Sequence, residues 1–179
     1  MSEKNLSIPI ILGTGRLGRQ SEKVAKFVLA KILKSGFNSE IIDARDFRTQ
    51  ATDRTGQSVQ AKKLAQKIIE SDGLIIVLPE YNYGYPGELK MMLDLLYEEY
   101  AGKPVAFCGV SAGGLGGVRA VEQLKLVALG LKMTPISEAV YFSNVLSLFD
   151  QRGNIQDTNY IKRVEIMLKE LIRHVQEKI

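Results

Sequence analysis

The sequence predicts an α/β protein built on a doubly wound sheet of five parallel strands, in the order 2-1-3-4-5, with helices on both faces. Short apolar runs rich in β-branched residues alternate along the chain with longer segments of helical periodicity. This alternation is typical of right-handed βαβ crossovers. A chain of 179 residues has the usual size of one such unit, so 1–179 is predicted to be a single domain.

The elements follow from the periodicity of the apolar residues. The predicted strands are the short segments 8–12, 39–43, 73–78, 104–110 and 133–141, of which 73–78 is a continuous apolar run. The predicted helices repeat apolar residues every three or four positions, and they cover 19–35, 58–71, 87–100, 115–129 and 158–177. The polar segment 44–57 is predicted to be a long loop.

Composition and charge exclude several classes of protein. The net charge is +4 with a pI of about 9.1, and basic residues are interleaved with acidic ones, which argues against a nucleic-acid partner. A lone cysteine, Cys108, and a lone histidine, His174, leave no intramolecular disulfide and no cysteine–histidine metal site. No apolar run approaches the ~18 residues of a membrane span. With no signal peptide at the N-terminus, we expect a cytoplasmic protein without a membrane partner.

The first predicted strand runs into a loop at 13–21, called here the first loop, whose polar side chains suit a phosphate. Thr14, Arg16, Gln20 and Ser21 surround the start of the first predicted helix. The N–H groups and dipole of a helix start favour an anion, and the arginine adds charge. The first loop is therefore predicted to hold a terminal phosphate group.

The same loop also matches a different motif. Its opening, Gly13-Thr-Gly-Arg-Leu-Gly18, has the G-x-G-x-x-G spacing of a dinucleotide-binding turn, and Asp43 stands where such a site carries its ribose-binding acid. A pyrophosphate must approach the backbone of such a loop closely, and the side chains of Arg16 and Arg19 leave little room for it. A flavin-free dinucleotide site nevertheless stays open as an alternative.

The third and fourth strands are followed by two further loops of ligand-binding composition. The second loop, 79–86, carries Tyr81 and Tyr83 as stacking groups and Asn82 as both donor and acceptor. The third loop, 110–117, is rich in glycine, which permits close approach of its backbone to a flat ligand. Because these loops and the first loop leave the same edge of the sheet, we expect them to form one site for a flat, aromatic, phosphorylated molecule.

Taken together, the three loops resemble those of the NADPH-dependent FMN reductase family, which includes quinone, chromate and azo-dye reductases and has the flavodoxin-like fold. The most specific segments are Pro79-Glu-Tyr-Asn82 with Pro86-Gly87-x-Leu89-Lys90, followed by Gly113-Gly-x-Gly-Gly-x-Arg119. The resemblance extends over about 8–135. It implies FMN as cofactor and NADPH or NADH as electron donor.

The resemblance also implies roles for individual residues. The FMN phosphate would fall on Thr14, Arg16, Gln20 and Ser21, and Arg16 and Arg19 are candidates for attracting the phosphates of NADPH. The flavin ring would be bordered on one side by Pro79, Glu80, Tyr81, Asn82 and Tyr83. The other side would meet Ser111 and the backbone of Ala112, Gly113 and Gly114.

The expected reaction passes a hydride from NADPH to bound FMN and then two electrons to a quinone, a flavin or a similar small acceptor. No protein group is required as a catalytic residue, because the cofactor supplies the chemistry. A flavodoxin-type electron carrier is the nearest alternative, although the net charge of +4 is unlike the acidic docking surface of such carriers. The resemblance further implies a homodimer or homotetramer, with Arg119 and Glu138 as candidates for the interface.

Overall fold

The computed structural model describes residues 6–52 and 55–178, and its sheet confirms the predicted topology. All strand pairs are parallel, in the order β2-β1-β3-β4-β5. The strands are β1 (Ile10–Leu12), β2 (Ile41–Asp43), β3 (Leu74–Pro79), β4 (Pro104–Val110) and β5 (Thr134–Phe142). The helices are α1 (Ser21–Lys34), α2 (Val59–Ile69), α3 (Gly87–Leu93), α4 (Val118–Gly130), α5 (Val145–Leu148) and α6 (Asn159–Gln176).

Alternate residues of each strand point to opposite faces, which divides the apolar side chains into two layers. One layer packs Ile10, Ile75 and Cys108 against α1 and α6. The other packs Ile11 and Ile76 against α2, α3 and α4. Burial on both faces explains why the central strands are continuously apolar rather than alternating. Burial also raises the pKa of the Cys108 thiol, so this cysteine is a core residue and a poor nucleophile.

The register brings the ends of the central strands to one edge. Leu12 of β1 lies beside Val77 of β3, and Pro79 at the end of β3 lies beside Val110 at the end of β4. The first, second and third loops therefore leave the sheet side by side, as the predicted topology requires.

Helix α4 starts later than predicted, at Val118 instead of residue 115. Gly116 and Gly117 have φ values of 60° and 82°, in the left-handed region that favours glycine. Both also lie against neighbouring strands: a Cβ on Gly117 would stand 2.8 Å from the backbone nitrogen of Val110. The chain must first make this close turn over the end of β4 before it can become helical.

Three further segments differ from the prediction. Helix α3 ends at Leu93, and a 3₁₀ turn at Glu98–Tyr100 replaces its predicted last turns. Part of the predicted loop 44–57 is a 3₁₀ turn at Ala44–Phe47 that buries Phe47, while residues 53 and 54 lie outside the described part. The short helix α5 was not predicted. Within the described ranges, no helix is both long and apolar enough to cross a bilayer.

Candidate functional site

A cavity of about 320 Å³ opens at the carboxyl edge of the sheet, where the three loops meet. Nine of the predicted site residues line it: Arg16, Arg19, Gln20, Ser21, Pro79, Glu80, Tyr81, Ser111 and Ala112. Leu17, Val145 and Leu146 also line it and were not predicted. A larger groove of about 960 Å³ between α1 and α6 is bordered mainly by charged side chains and by none of the predicted site residues.

The start of α1 forms one end of this cavity and has the features of an anion site. The N-cap residue is Gln20, and its side chain makes no capping hydrogen bond to the helix. Ser21 in the first turn is 1% exposed, and its hydroxyl has no hydrogen-bond partner among the described residues. The first N–H groups of a helix point toward its start and can bind an anion. A buried hydroxyl, the start of a helix and Arg16 on the same cavity make a site suited to phosphate.

Thr14 is a buried residue of the first loop and does not line the cavity. It is fully buried, and its hydroxyl is within hydrogen-bond distance of Tyr81 and Glu88, at 2.9 Å from each. The backbone N–H of Arg16 also donates to the Thr14 hydroxyl oxygen, at 3.3 Å. Thr14 therefore fixes the first loop from its buried side. Its role as a direct cofactor contact stays a prediction.

Arg19 is part of the framework of the first loop. Its side chain is 4% exposed and forms a bidentate ion pair with Asp43, with a further contact to Glu22. Although burial alone would raise the pKa of Asp43, hydrogen bonds from Arg19 and from the backbone of Arg45 hold it below its usual range. The acid of the alternative dinucleotide motif is thus paired with Arg19 of the first loop, which weighs against a ribose contact at Asp43.

Two arginines that the sequence did not single out complete this framework. Arg45 and Arg48 follow β2 and donate to the carbonyl of Gly15, at 3.2 and 2.9 Å, and Arg45 also donates to the carbonyl of Arg16 at 2.6 Å. Both lie in the polar segment 44–57. The only sequence signal for their role was the concentration of charged residues in this segment, close to a predicted phosphate-binding loop. Fixing these carbonyls keeps them from turning toward an anion.

The second loop is a tight turn closed by its own backbone. Tyr81 and Gly84 exchange two N–H to carbonyl hydrogen bonds of 2.9 Å, and Asn82 and Tyr83 between them have φ values of 49° and 68°. Positive φ at both central positions defines the turn type that suits a hairpin, and it is costly for tyrosine. Asn82 and Tyr83 do not line the cavity, so their contact with a ring stays a prediction.

Helix α4 holds this turn in place through two side chains. The guanidinium of Arg119 lies 3.9 Å from the centre of the Tyr83 ring and also pairs with Glu80. Gln123 donates to the carbonyl of Tyr83 at 2.8 Å. Arg119, predicted as an interface candidate, therefore has partners within its own chain.

Glu80 contributes an unusual group to the cavity. Its side chain is 8% exposed, and Oε1 accepts a hydrogen bond of 2.8 Å from Arg119. Oε2 is shielded from solvent and has no partner among the described residues. A buried carboxylate oxygen without a donor is costly, so this position is suited to a ligand N–H group.

The third loop is fixed mainly through its backbone. The N–H of Ser111 donates to Phe142, and the carbonyls of Ser111 and Gly113 accept from Val145 and Asn144, all at 3.0–3.1 Å. The hydroxyl of Ser111 donates to the carbonyl of Gly113 at 2.8 Å. Gly113 and Gly114 do not line the cavity, and a Cβ on either would meet no atom within 4 Å. The space above these two glycines is open to a flat ligand.

The fold is that of a flavodoxin-like protein, with a cavity that lies between the start of α1 and the second and third loops. A family model described as NADPH-dependent FMN reductase matches residues 6–146, so the chain belongs to this family. The predicted fold, the predicted oxidoreductase class and the predicted cofactors, FMN with NADPH or NADH, are thereby confirmed.

Curated relatives and solved structures agree with this assignment. An NAD(P)H-dependent FMN reductase of Schizosaccharomyces pombe is 36% identical over 137 residues, covering 70% of this chain and 67% of the relative. A quinone reductase of Escherichia coli is 31% identical over 167 residues, 88% of each chain. The structure of FerB, an NAD(P)H:acceptor flavoenzyme from Paracoccus denitrificans, superposes with a TM-score of 0.82 at 22% identity, covering 96% of this chain and 98% of that one.

Proposed function

We propose that the chain acts as one FMN-binding domain that oxidises NADPH or NADH and reduces a quinone, a flavin or a similar small acceptor. The observation that carries the proposal is a pair of buried polar groups on one cavity that have no hydrogen-bond partner in the described part of the chain. The Ser21 hydroxyl can donate to a phosphate, and Glu80 Oε2 can accept from a ring N–H. FMN has both groups at its two ends, so the residues present fit it.

Under this proposal, each loop binds one part of the cofactor. Arg16, Gln20, Ser21 and the start of α1 bind the phosphate, while Thr14 and Arg19 fix the loop that carries them. Pro79, Glu80, Tyr81, Asn82 and Tyr83 border one side of the flavin ring. Ser111, Ala112, Gly113 and Gly114 border the other side. The backbone N–H groups of Ala112, Gly113 and Gly114 are candidates for stabilising negative charge on the reduced ring.

When bound, FMN would supply the redox chemistry, which is uptake of a hydride from the nicotinamide and transfer of two electrons to the acceptor. The chain's own residues bind, orient and shield. Glu80 and Arg119 neutralise one another beside the ring position, and the turn at Asn82 and Tyr83 gives that position a rigid wall. No cysteine or histidine takes part: Cys108 is buried in the core, and His174 lies on α6.

The proposal is tested by the visible spectrum of the purified protein. We expect a yellow protein, or one that becomes yellow when FMN is added and the excess is removed by gel filtration. Under nitrogen, NADPH or NADH should bleach the flavin absorption, and addition of a quinone should restore it. Failure to retain FMN would contradict the proposed site. FMN retained but not reduced by either nucleotide would favour a flavodoxin-type electron carrier.

We also propose that the chain forms a homodimer or homotetramer in the cytoplasm. Support for self-association comes from α4, where Leu126 and Leu129 are 71% and 58% exposed. Exposed apolar side chains on one helix are typical of an interface. Cell fractionation tests the location.

For the assembly, we expect light scattering of the unaltered protein to give the mass of two or four chains. Replacing Leu126 and Leu129 together by glutamate should yield monomers, because two charges would be buried in the interface. Leu33→Glu is a matched control, since Leu33 is 49% exposed on α1, against the opposite face of the sheet. Monomeric unaltered protein, or unchanged mass in the double variant, would contradict assembly through α4.

A further inference from the structure

Glu88 lies in the first turn of α3 and joins this helix to the first loop. Its Oε1 accepts from the backbone N–H of Gly15 at 3.0 Å and from the hydroxyl of Thr14 at 2.9 Å. Burial by itself would raise the pKa of Glu88. Backbone hydrogen bonds from its own N–H and from Gly15, the Thr14 hydroxyl and the nearby charge of Arg48 together lower it. Glu88 is therefore a charged acceptor beneath the loop at neutral pH.

The charge of Glu88 fixes the direction of a hydrogen-bond chain. A carboxylate only accepts, so the single hydroxyl hydrogen of Thr14 points to Glu88. The hydroxyl oxygen of Thr14 must then accept from the hydroxyl of Tyr81, 2.9 Å away, and from the N–H of Arg16. The phenol hydrogen of Tyr81 is thus directed to Thr14, and Thr14 joins the second loop to the first.

The first loop is fixed from two directions at one residue. Glu88 binds the N–H of Gly15, while Arg45 and Arg48 bind its carbonyl. Arg48 packs closely against Gly15, because a Cβ added to this glycine would lie 2.5 Å from a guanidinium nitrogen of Arg48. Without Glu88, the buried N–H of Gly15 and the Thr14 hydroxyl would both lose their acceptor, and the loop would be free to rearrange.

We propose that Glu88 is a positioning residue that holds the phosphate-binding first loop and the ring-bordering second loop in one fixed relation, through Thr14. The inference rests on the proposed function, because it assigns the first loop to the FMN phosphate. Glu88 supports the part of the site that binds the phosphate of FMN more than the part that borders the flavin ring. It therefore determines how strongly the chain prefers FMN to riboflavin, which has the same ring and no phosphate.

The test compares the dissociation constants of FMN and riboflavin, measured by flavin fluorescence, for the unaltered chain and for Glu88 and Thr14 variants. Glu88→Ala should reduce the preference for FMN about tenfold or more, as expected for loss of a charged hydrogen-bond acceptor. Glu88→Gln keeps an acceptor oxygen and should retain the preference to within about threefold. Thr14→Val removes the joining hydroxyl at similar volume and should reproduce the effect of Glu88→Ala.

Asp94→Ala is the matched control, because Asp94 immediately follows α3 and its carboxylate pairs with Lys90 instead of the loop. It should leave the preference for FMN unchanged. If Glu88→Ala fails to fold, Thr14→Val and Glu88→Gln decide the question. An unchanged preference in both Glu88→Ala and Thr14→Val, or a Glu88→Gln variant as impaired as Glu88→Ala, would overturn the inference. An unaltered chain that binds no FMN would instead contradict the proposed function.

Discussion

Replacing Ser21 by alanine is expected to make the cofactor-free protein more stable and to weaken its binding of FMN. Within the residues that the structure describes, the buried Ser21 hydroxyl has no partner, so its removal should raise the free energy of unfolding by about 1 kcal/mol. If the same hydroxyl donates to the FMN phosphate, its loss should raise the dissociation constant about 10- to 100-fold. Urea unfolding without cofactor and fluorescence titration with FMN measure the two effects.

Ser71→Ala provides a matched control. Ser71 is also buried, at 4% exposed, but its hydroxyl donates to the carbonyl of Ile68 at 2.7 Å, at the end of α2. Its removal should lower the free energy of unfolding and leave FMN binding unchanged. Opposite signs of the stability change in the two serine variants would distinguish a binding group from a structural one. Loss of stability in Ser21→Ala with unchanged FMN affinity would contradict the phosphate assignment.

Gly109→Ala is expected to be strongly destabilising. Gly109 lies within β4, and a Cβ there would stand 2.5 Å from the carbonyl oxygen of Gly116 and 3.0 Å from a methyl of Val121. The first contact is with backbone, which cannot rotate away as a side chain can. We expect a loss of about 3 kcal/mol in the free energy of unfolding, measured by urea denaturation, as the third loop is displaced from β4.

Gly113→Ala, four residues further along, separates packing from binding. A Cβ on Gly113 meets nothing within 4 Å, so the unfolding free energy should change by less than about 0.5 kcal/mol. FMN affinity should nevertheless fall, because the methyl group would occupy space that the proposal gives to the flavin ring. Equal stability losses in the Gly109 and Gly113 variants would show that the third loop is packed differently from the structure described here.

Regular features of the sequence were sufficient for the sheet and for the placement of the three loops at one edge. The central strands β1, β3 and β4 are continuous apolar runs, and the loops that follow them could be placed together from topology alone. The short helix α5 was missed because its four residues are too few to show a helical period. The later start of α4 was missed because glycine composition alone does not show that Gly116 and Gly117 pack against the strands.

Side-chain partners distant in sequence were the part that could not be predicted. Thr14 and Glu88 are 74 positions apart, and Arg19 and Asp43 are 24 apart. From the sequence alone, Thr14 and Arg19 were predicted to bind phosphate groups, and Asp43 was the candidate ribose-binding acid of the alternative motif. The structure instead brings these polar groups into contact with one another. Such pairings leave no periodic pattern in the sequence, because they depend on how far a side chain extends from one loop to another.

The turn at Asn82 and Tyr83 has a consequence for the thermodynamics of binding. Its two backbone hydrogen bonds, the stacked guanidinium of Arg119 and the bond from Gln123 are all made within the chain. Under the proposed function, binding of the flavin ring beside this turn therefore costs little conformational entropy. Calorimetry of FMN binding should accordingly give a small heat-capacity change, of the size expected for surface covered by the ligand alone, without the larger change that accompanies folding of a loop.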